Sequence, residues 1–277
     1  MAAIKKILFP VDFSPRCQQA APYVAEMAGW FEAELMLLHV VEPGANTLAE
    51  ELKTQKQTQL GSFFVEELKH FRTQRVCLTG DPAEKIAEIA RSWPPDLVMM
   101  PTHGLGFFRS YLLGSVTAKV LHDAACPVWT SVHEQSIQPL EKIKSERVLC
   151  AIDLCPRSGE ILAWAGRFAR EHQALTVVHV TPGIEAAAMG RFLDDEYVAA
   201  LTHDADAEIA NLLASAKIDA EVRIAGGSIA HTIKNIASDL AADLMIIGRH
   251  SSARFAGHLR HNAYAILRES PCPVISI

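Results

Sequence analysis

Much of the chemistry that a sequence can advertise is missing from these 277 residues. The six cysteines (Cys17, Cys77, Cys126, Cys150, Cys155 and Cys272) form no Cys-x-x-Cys pair and show no metal-ligand spacing, which excludes a zinc module and a disulfide framework. They read as reduced, mostly buried small hydrophobes. Twelve histidines fall into no His-x3-His or Cys/His grouping, so no metal site is expected. No Walker motif, no GxGxxG and no GxSxG is present, nor an obvious Ser–His–Asp grouping. A receiver-type phosphorylation site would need an acidic pair at the first strand, and none occurs there. No uncharged apolar run approaches the ~18 residues of a membrane span. The residues from Met1 to Asp12 lack the apolar core and cleavage site of a secretory signal, so a cytoplasmic location is expected. Positive charge is not in excess. A net charge of -6 argues against broad binding to nucleic acid or to an anionic membrane. Gly and Pro stay near average, which excludes collagen-like and low-complexity chains, and 49% hydrophobic residues against 21% charged suffice for a packed core.

What is present is a duplication. Half the chain is about 138 residues, close to the preferred size of one domain. Ile7-Leu8-Phe9-Pro10-Val11-Asp12-Phe13-Ser14-Pro15-Arg16 returns as Val148-Leu149-Cys150-Ala151-Ile152-Asp153-Leu154-Cys155-Pro156-Arg157. Leu35-Met36-Leu37-Leu38-His39-Val40 returns as Leu175-Thr176-Val177-Val178-His179-Val180. Asp96-Leu97-Val98-Met99-Met100 returns as Asp243-Leu244-Met245-Ile246-Ile247, with His103 and His250 just beyond, and Cys126-Pro127-Val128 returns as Cys272-Pro273-Val274. The offsets run from 140 to 147. Four blocks kept in order imply two homologous domains, 1–132 and 147–277, joined by a polar linker at 133–146.

Each half alternates short apolar runs with amphipathic stretches. In the first, 4–11, 34–41, 73–78, 96–101 and 127–132 read as strands. Runs apolar at every residue, such as Leu97-Val98-Met99-Met100, fit a parallel sheet covered on both faces. Ser14-Pro15 opens a helix that runs to about Trp30, and Asp81-Pro82-Ala83-Glu84 repeats the device. The strand–helix order predicts an open, doubly wound α/β sheet, with ligands at the carboxyl ends of the strands where the strand order switches.

Asp12 ends the first strand and Asp153 is its copy. Such a carboxylate either accepts from a ribose hydroxyl or an adenine amino group, or caps the following helix, and position alone leaves both open. After the fourth strand comes Pro101-Thr102-His103-Gly104, nine residues, and Gly114-Ser115-Val116-Thr117-Ala118-Lys119-Val120. Gly114-Ser115 begins a helix, whose free N–H groups and dipole suit phosphate. The alternative is loop punctuation and a simple cap. His39, His179, His103 and His250 repeat in both halves, which favours structural roles. Phe107, Phe108 and Tyr111 form an aromatic loop that reads as a lid, a contact surface or local packing.

Pro101-x2-Gly104-x9-Gly114-Ser115 with Asp12, the Ser-Val-Thr-Ala-Lys-Val-Leu run from Ser115 and the Ala-Cys-Pro-Val before the last strand resemble the universal stress protein family in its tandem form. Its nucleotide-binding members carry Gly-x2-Gly-x9-Gly-(Ser/Thr) after the fourth strand. The resemblance implies two tandem doubly wound, open, parallel five-stranded sheets, adenine-nucleotide alpha-hydrolase-like or Rossmann-like, packed as a pseudo-dimer. It implies ATP or a related adenine nucleotide in the first half, with Mg²⁺ accompanying it. Asp12 and Val40 would contact adenine; Pro101, Gly104, Gly114 and Ser115 would surround ribose and phosphates; Pro10, Val11, Met100, His103, Val116 and Thr117 complete the expected site. Pro101 departs from the pattern: it lacks an N–H and fixes φ, while its carbonyl survives.

The second half keeps Gly248, but Ser251 replaces the next Gly, and Arg260-His261 or His261-Asn262 replaces the helix-start pair, so nucleotide binding is expected to be lost there. Arg249, Arg254, His258, Arg260 and His261 read as a solvated basic loop. The last strands, Pro127–Val132 and Pro273–Ile277, are apolar edges, which in the family form the dimer contact. In a tandem chain they can be satisfied internally, with a further homodimer as an additional association. The function expected is that of a non-enzymatic stress-response regulator that binds nucleotide in the first domain and uses the second as scaffold. A nucleotide-independent dimerising scaffold is the alternative, and a slow ATP hydrolase ranks third.

Overall fold

The computed structural model describes residues 4–42, 49–102, 113–131, 146–168, 174–181, 195–249 and 258–277, and for residues 49, 195–201 and 258–261 the backbone alone. The chain divides into two units, Met1–Ile143 and Lys144–Ile277. The expected linker at 133–146 lies outside the described residues except for Glu146.

In the first unit the order is β1 (Lys6–Pro10), α1 (Pro15–Phe31), β2 (Glu34–Val41), α2 (Ala49–Ser62), α3 (Val65–Leu68), β3 (Thr73–Thr79), α4 (Pro82–Ser92), β4 (Leu97–Met100), α5 (Ser115–Asp123) and β5 (Val128–Thr130). All strands pair in parallel, in the order β3-β2-β1-β4-β5. The switch in strand order therefore falls between β1 and β4. Ile7, Leu8 and Phe9 of β1 and all four residues of β4 are buried, as the unbroken apolar runs require. The strands expected at 4–11 and 96–101 are shorter than read. Asp96, just ahead of β4, donates its amide to Lys6 O at 2.9 Å and accepts the Lys5 and Lys6 amides on its carboxylate at 2.7 and 2.9 Å, clamping the start of β1. Asp243 holds the amide of Arg147 in the same way, at 2.9 Å.

Helix starts follow their caps. Ser14 Oγ accepts from the Cys17 amide at 3.1 Å with Pro15 in the first turn, and Asp81 accepts from the Glu84 amide at 2.9 Å ahead of Pro82. After β3, Gly80 takes a φ of 144°, which only glycine adopts without strain, and its counterpart Gly227 takes 125°.

The second unit runs β6 (Arg147–Ile152), α6 (Ser158–Ala165), β7 (Ala174–Thr181), α7 (Asp195–Ala216), β8 (Glu221–Gly226), α8 (Ile229–Asp239), β9 (Leu244–Ile247), α9 (His258–Glu269) and β10 (Val274–Ser276). Its strand order, β8-β7-β6-β9-β10, repeats that of the first. Cys17, Cys77, Cys150 and Cys272 are buried free thiols, and burial pushes Cys17, Cys150 and Cys272 up to about 12, which removes them from thiolate chemistry. Among the described residues no helix is long and apolar enough to cross a membrane, and no three His, Cys, Asp or Glu side chains stand together as a metal site.

Candidate functional site

At the carboxyl ends of β1, β2 and β4 the first unit encloses a cavity of about 650 Å³, within the size range of small-ligand sites. Its walls contain Pro10, Val11 and Asp12 from β1, Val40 from β2, Met100 and Pro101 from β4, and Gly114, Ser115, Val116 and Thr117 from the start of α5. These are ten of the twelve residues expected from the sequence. The other two, His103 and Gly104, lie outside the described residues, as do Phe107, Phe108, Tyr111 and His250.

At the Asp12 corner the helix cap is Ser14, and Asp12 holds the amide of that cap residue. Oδ1 accepts from the Ser14 amide at 3.0 Å, which turns the chain so tightly that Phe13 sits at a φ of 62°. The half-buried carboxylate also lines the cavity.

One strand over, the ladder between β1 and β2 stops short. Glu34 N donates to Lys5 O and Leu38 O accepts from Val11 N, both at 2.8 Å. Leu35 N and Val41 O instead bond towards β3, to Arg72 O and Gly80 N. Even-numbered residues of β2 thus turn their backbone towards β1. The next such residue is Val40, and the carbonyl it would meet, that of Val11, is taken by His39 Nδ1 at 2.6 Å. Among the described residues nothing pairs with the β1-facing N–H and C=O of Val40. They form a donor–acceptor pair open to the cavity. His39 is buried against Phe13, ring centroids 4.6 Å apart. Burial holds its imidazole below the ordinary histidine range, with the charge of Lys56 acting in the same direction against the pull of Val11 O and Asp12. The ring is therefore neutral, with its proton on Nδ1. His179 repeats the bond on Ile152 O at 3.0 Å, so the repeated histidines end the inner ladder in both units.

On the far side Gly114 caps α5, with φ -56° and ψ 145°, and its own amide is held by Thr102 O at 2.9 Å. No side chain caps this helix, so the reading of Ser115 as a simple cap is corrected: Ser115 is the first helical residue. Ala118 N donates to Gly114 O, and among the described residues no acceptor meets the amides of Ser115, Val116 and Thr117. Three N–H donors and the positive end of the helix face the cavity. The Thr117 hydroxyl is not among them. It is buried and donates to Pro101 O at 3.0 Å, so Thr117 offers the cavity its backbone and ties the floor with its side chain. The carbonyl of Pro101 is engaged by that same bond.

Sequence reasoning missed the outer wall. Leu52 and Lys56 of α2, Pro82 and Ile86 of α4, and Glu42 also line the cavity. The one available signal was the spacing of Leu52 and Lys56, which puts both on one helix face.

The second unit differs at each of these points. Asp153 Oδ1 receives both the Cys155 amide at 3.2 Å and the Ser158 hydroxyl at 3.4 Å. A Cβ on Gly248, the position matching Pro101, would lie 2.7 Å from Ile161 Cδ1, so a side chain there would press on Ile161. Arg249, read as part of a solvated loop, is buried: its amide donates to Ile277 O at 2.7 Å, which draws the residue in beside the end of β10. Arg254 lies outside the described residues, as do the side chains of His258, Arg260 and His261.

Two copies of an open parallel sheet, with a ligand-sized cleft at the strand switch of the first, define a doubly wound α/β protein built by duplication. The model of the universal stress protein family matches residues 3–131 and again 144–277. The chain belongs to the universal stress protein family and carries two of its domains in tandem. It is 29% identical over 149 residues to a universal stress protein of Methanocaldococcus jannaschii, a match covering 45% of this chain and 92% of the relative. It is 32% identical over 142 residues to one of Thermus aquaticus, covering 45% and 96%. In fold it resembles a universal stress protein from Archaeoglobus fulgidus (TM-score 0.74, 19% identity, covering 98% of this chain and 97% of that one). A functionally unknown protein from Pseudomonas aeruginosa is also similar (TM-score 0.66, 16% identity, covering 99% and 92%).

Proposed function

We propose that the first unit binds an adenine nucleotide, ATP or a close relative, and that the protein acts as a non-enzymatic stress-response regulator whose second unit is a scaffold. Members of the family bind adenine nucleotides. The observation that carries the reading to this chain is the pairing, in one 650 Å³ cavity, of the open Val40 backbone with the three amides of α5. A donor and an acceptor side by side on an extended backbone match the edge of adenine, whose amino group donates beside a ring nitrogen that accepts. Helix amides suit phosphate oxygens. The Asp12 carboxylate lies between them, within reach of an amino group or a ribose hydroxyl. Mg²⁺ would arrive on the phosphate oxygens of the nucleotide. In the second unit the Asp153 oxygen already receives two donors and the Gly248 gap is filled by Ile161, which supports a scaffold role.

The test is calorimetric titration of the nucleotide-free protein with ATP. Micromolar binding is expected. Gly114→Asp should abolish it by placing a carboxylate against the phosphates, while Asp remains a good N-cap and spares the fold. Asp153→Ala should leave binding unchanged. Absence of heat at high micromolar ATP overturns the proposal and leaves the nucleotide-independent scaffold. Phosphate release that survives Gly114→Asp would mark a contaminant rather than an activity of this cavity.

A further inference from the structure

We propose that Lys56, on α2, is a specificity-determining residue at the base end of this cavity, its ammonium set over the face of the bound purine and serving no phosphate. The assignment rests on the nucleotide reading of the cavity. Among the described lining residues Lys56 is the one with a cationic side chain, beside the carboxylates of Asp12 and Glu42. Charge alone would send it to the phosphates. Position sends it elsewhere.

The phosphate-binding amides belong to α5, which follows β4. α2 packs on β2 and β3, and β2 stands two strand spacings from β4, about 10 Å. Within its own neighbourhood Lys56 is already placed. Its Nζ lies 5.1 Å from the centroid of the Phe13 ring, inside the range of a cation–π contact, and donates to Gln59 Oε1 at 3.1 Å. Phe13 leans on His39, which ends the ladder beside Val40. The charge of Lys56 is felt at His39, which it helps to keep neutral. An adenine whose edge is held by the Val40 backbone therefore comes within reach of the same ammonium. Leu52, one turn earlier on the same face and 39% exposed, supplies an apolar wall beside it. A lysine with a stem anchored along this helix and a head already resting on one aromatic face needs only a small swing to cover a second.

The expected behaviour separates a base contact from a phosphate contact. Nucleotide-free full-length protein, its Lys56→Met variant, which keeps the stem and loses the charge, and its Lys56→Arg variant are each titrated with ATP and with adenosine. Lys56→Met should weaken both ligands by the same factor, roughly 3- to 30-fold. Lys56→Arg should bind both within about threefold of the parent, since guanidinium also rests on aromatic faces. A loss confined to ATP would make Lys56 a phosphate ligand and overturn the assignment, as would unchanged affinity for both ligands. If the parent protein binds neither ligand, the nucleotide reading itself fails first. Thermal midpoints of the ligand-free variants within about 2 °C of the parent exclude a folding defect, and Lys56→Gln provides a second neutral variant if the Met form falls outside that window.

Discussion

At the end of its first strand each unit builds the same corner. Asp12 and Asp153 each accept the amide two residues on, at 3.0 and 3.2 Å, and Phe13 and Leu154 follow in the left-handed region at 62° and 57°. Each corner also has a histidine on the last carbonyl of the inner ladder. The two part company one helical turn later. On the offset that pairs Asp12 with Asp153, Ala20 of α1 corresponds to Ile161 of α6, and Ile161 fills the space above Gly248 that a side chain would need. In the first unit the small residue lies on the helix and the large one, Pro101, on the strand end. In the second unit the sizes are exchanged. Local hydrogen-bond geometry is preserved across the duplication while the cleft changes through packing. By that offset Pro101 pairs with the small Ala20 where Gly248 pairs with Ile161, so its departure from the family's glycine is matched by a size exchange on the helix.

The largest effects should come from undoing that exchange. Gly248→Ala puts a Cβ 2.7 Å from the Cδ1 tip of buried Ile161, which must shift its rotamer, at a cost of roughly 1 kcal/mol in urea unfolding. Combining Gly248→Pro with Ile161→Ala should destabilise by at least ~1 kcal/mol less than the sum of the two single changes. Pro101→Gly in the first unit should alter ATP affinity by less than about threefold while lowering stability by about 0.5–1 kcal/mol, because glycine frees the unfolded chain. A tenfold gain in affinity from Pro101→Gly would show that the missing glycine weakens the site and sink the size-exchange account.

Much of this was legible in advance, for reasons of range. The repeat shows as blocks of sequence returning in order, the strand–helix alternation and the caps at Ser14 and Asp81 rest on signals within a few residues of each other, and the cavity floor follows from where the apolar runs end, to within a residue or two. Partners far apart in sequence were not legible. Thr117 meets Pro101 across 16 residues, and Ile161 meets Gly248 across a far longer stretch. Lys56 was hidden for a different reason. α2 is polar nearly all round, so no apolar stripe announced which face turns to the sheet, and only its packing on β2 and β3 does so.

A smaller effect is the pH dependence that His39 brings to folding. Burial first, and then the charge of Lys56, keep His39 below the ordinary histidine value in the folded protein. The unfolded chain therefore binds more protons than the folded one between that lowered value and the ordinary 6.5. The stability associated with neutral His39 is complete above the unfolded value and declines as pH falls below it. Folding free energy measured against pH should slope downward on the acid side of 6.5. His39→Asn, which can still donate to Val11 O, should flatten that slope. An unchanged slope in the variant would assign the acid sensitivity to other groups.

The smallest effect turns on a backbone conformation that the two units use differently. In the first, the segment between β2 and β3 breaks into α2 and α3, with Phe64 at a φ of 49° between them. In the second, α7 runs unbroken and ends at Lys217 with a φ of 55°, where Ile218 N reaches back to Leu213 O at 3.1 Å. Both residues bear the cost of a left-handed conformation, about 1 kcal/mol for a residue with a Cβ. Lys217 is exposed and its side chain returns little, so Lys217→Gly should stabilise by about 0.5–1 kcal/mol. Phe64 sets its ring 4.8 Å from that of Phe63, which stands edge-on to Phe13 at 5.6 Å. Phe64→Gly relieves the same strain but loosens the aromatic cluster that packs, through Phe13, on the cavity-lining His39, so it should destabilise by about 1 kcal/mol and weaken ATP binding slightly. Opposite signs from one φ value would tie the split helix of the first unit to its cleft, since in the second unit Lys217 closes its helix with an exposed side chain and only the backbone is at stake. Equal signs in the two denaturation curves would leave the break in α2 without a function in the cleft.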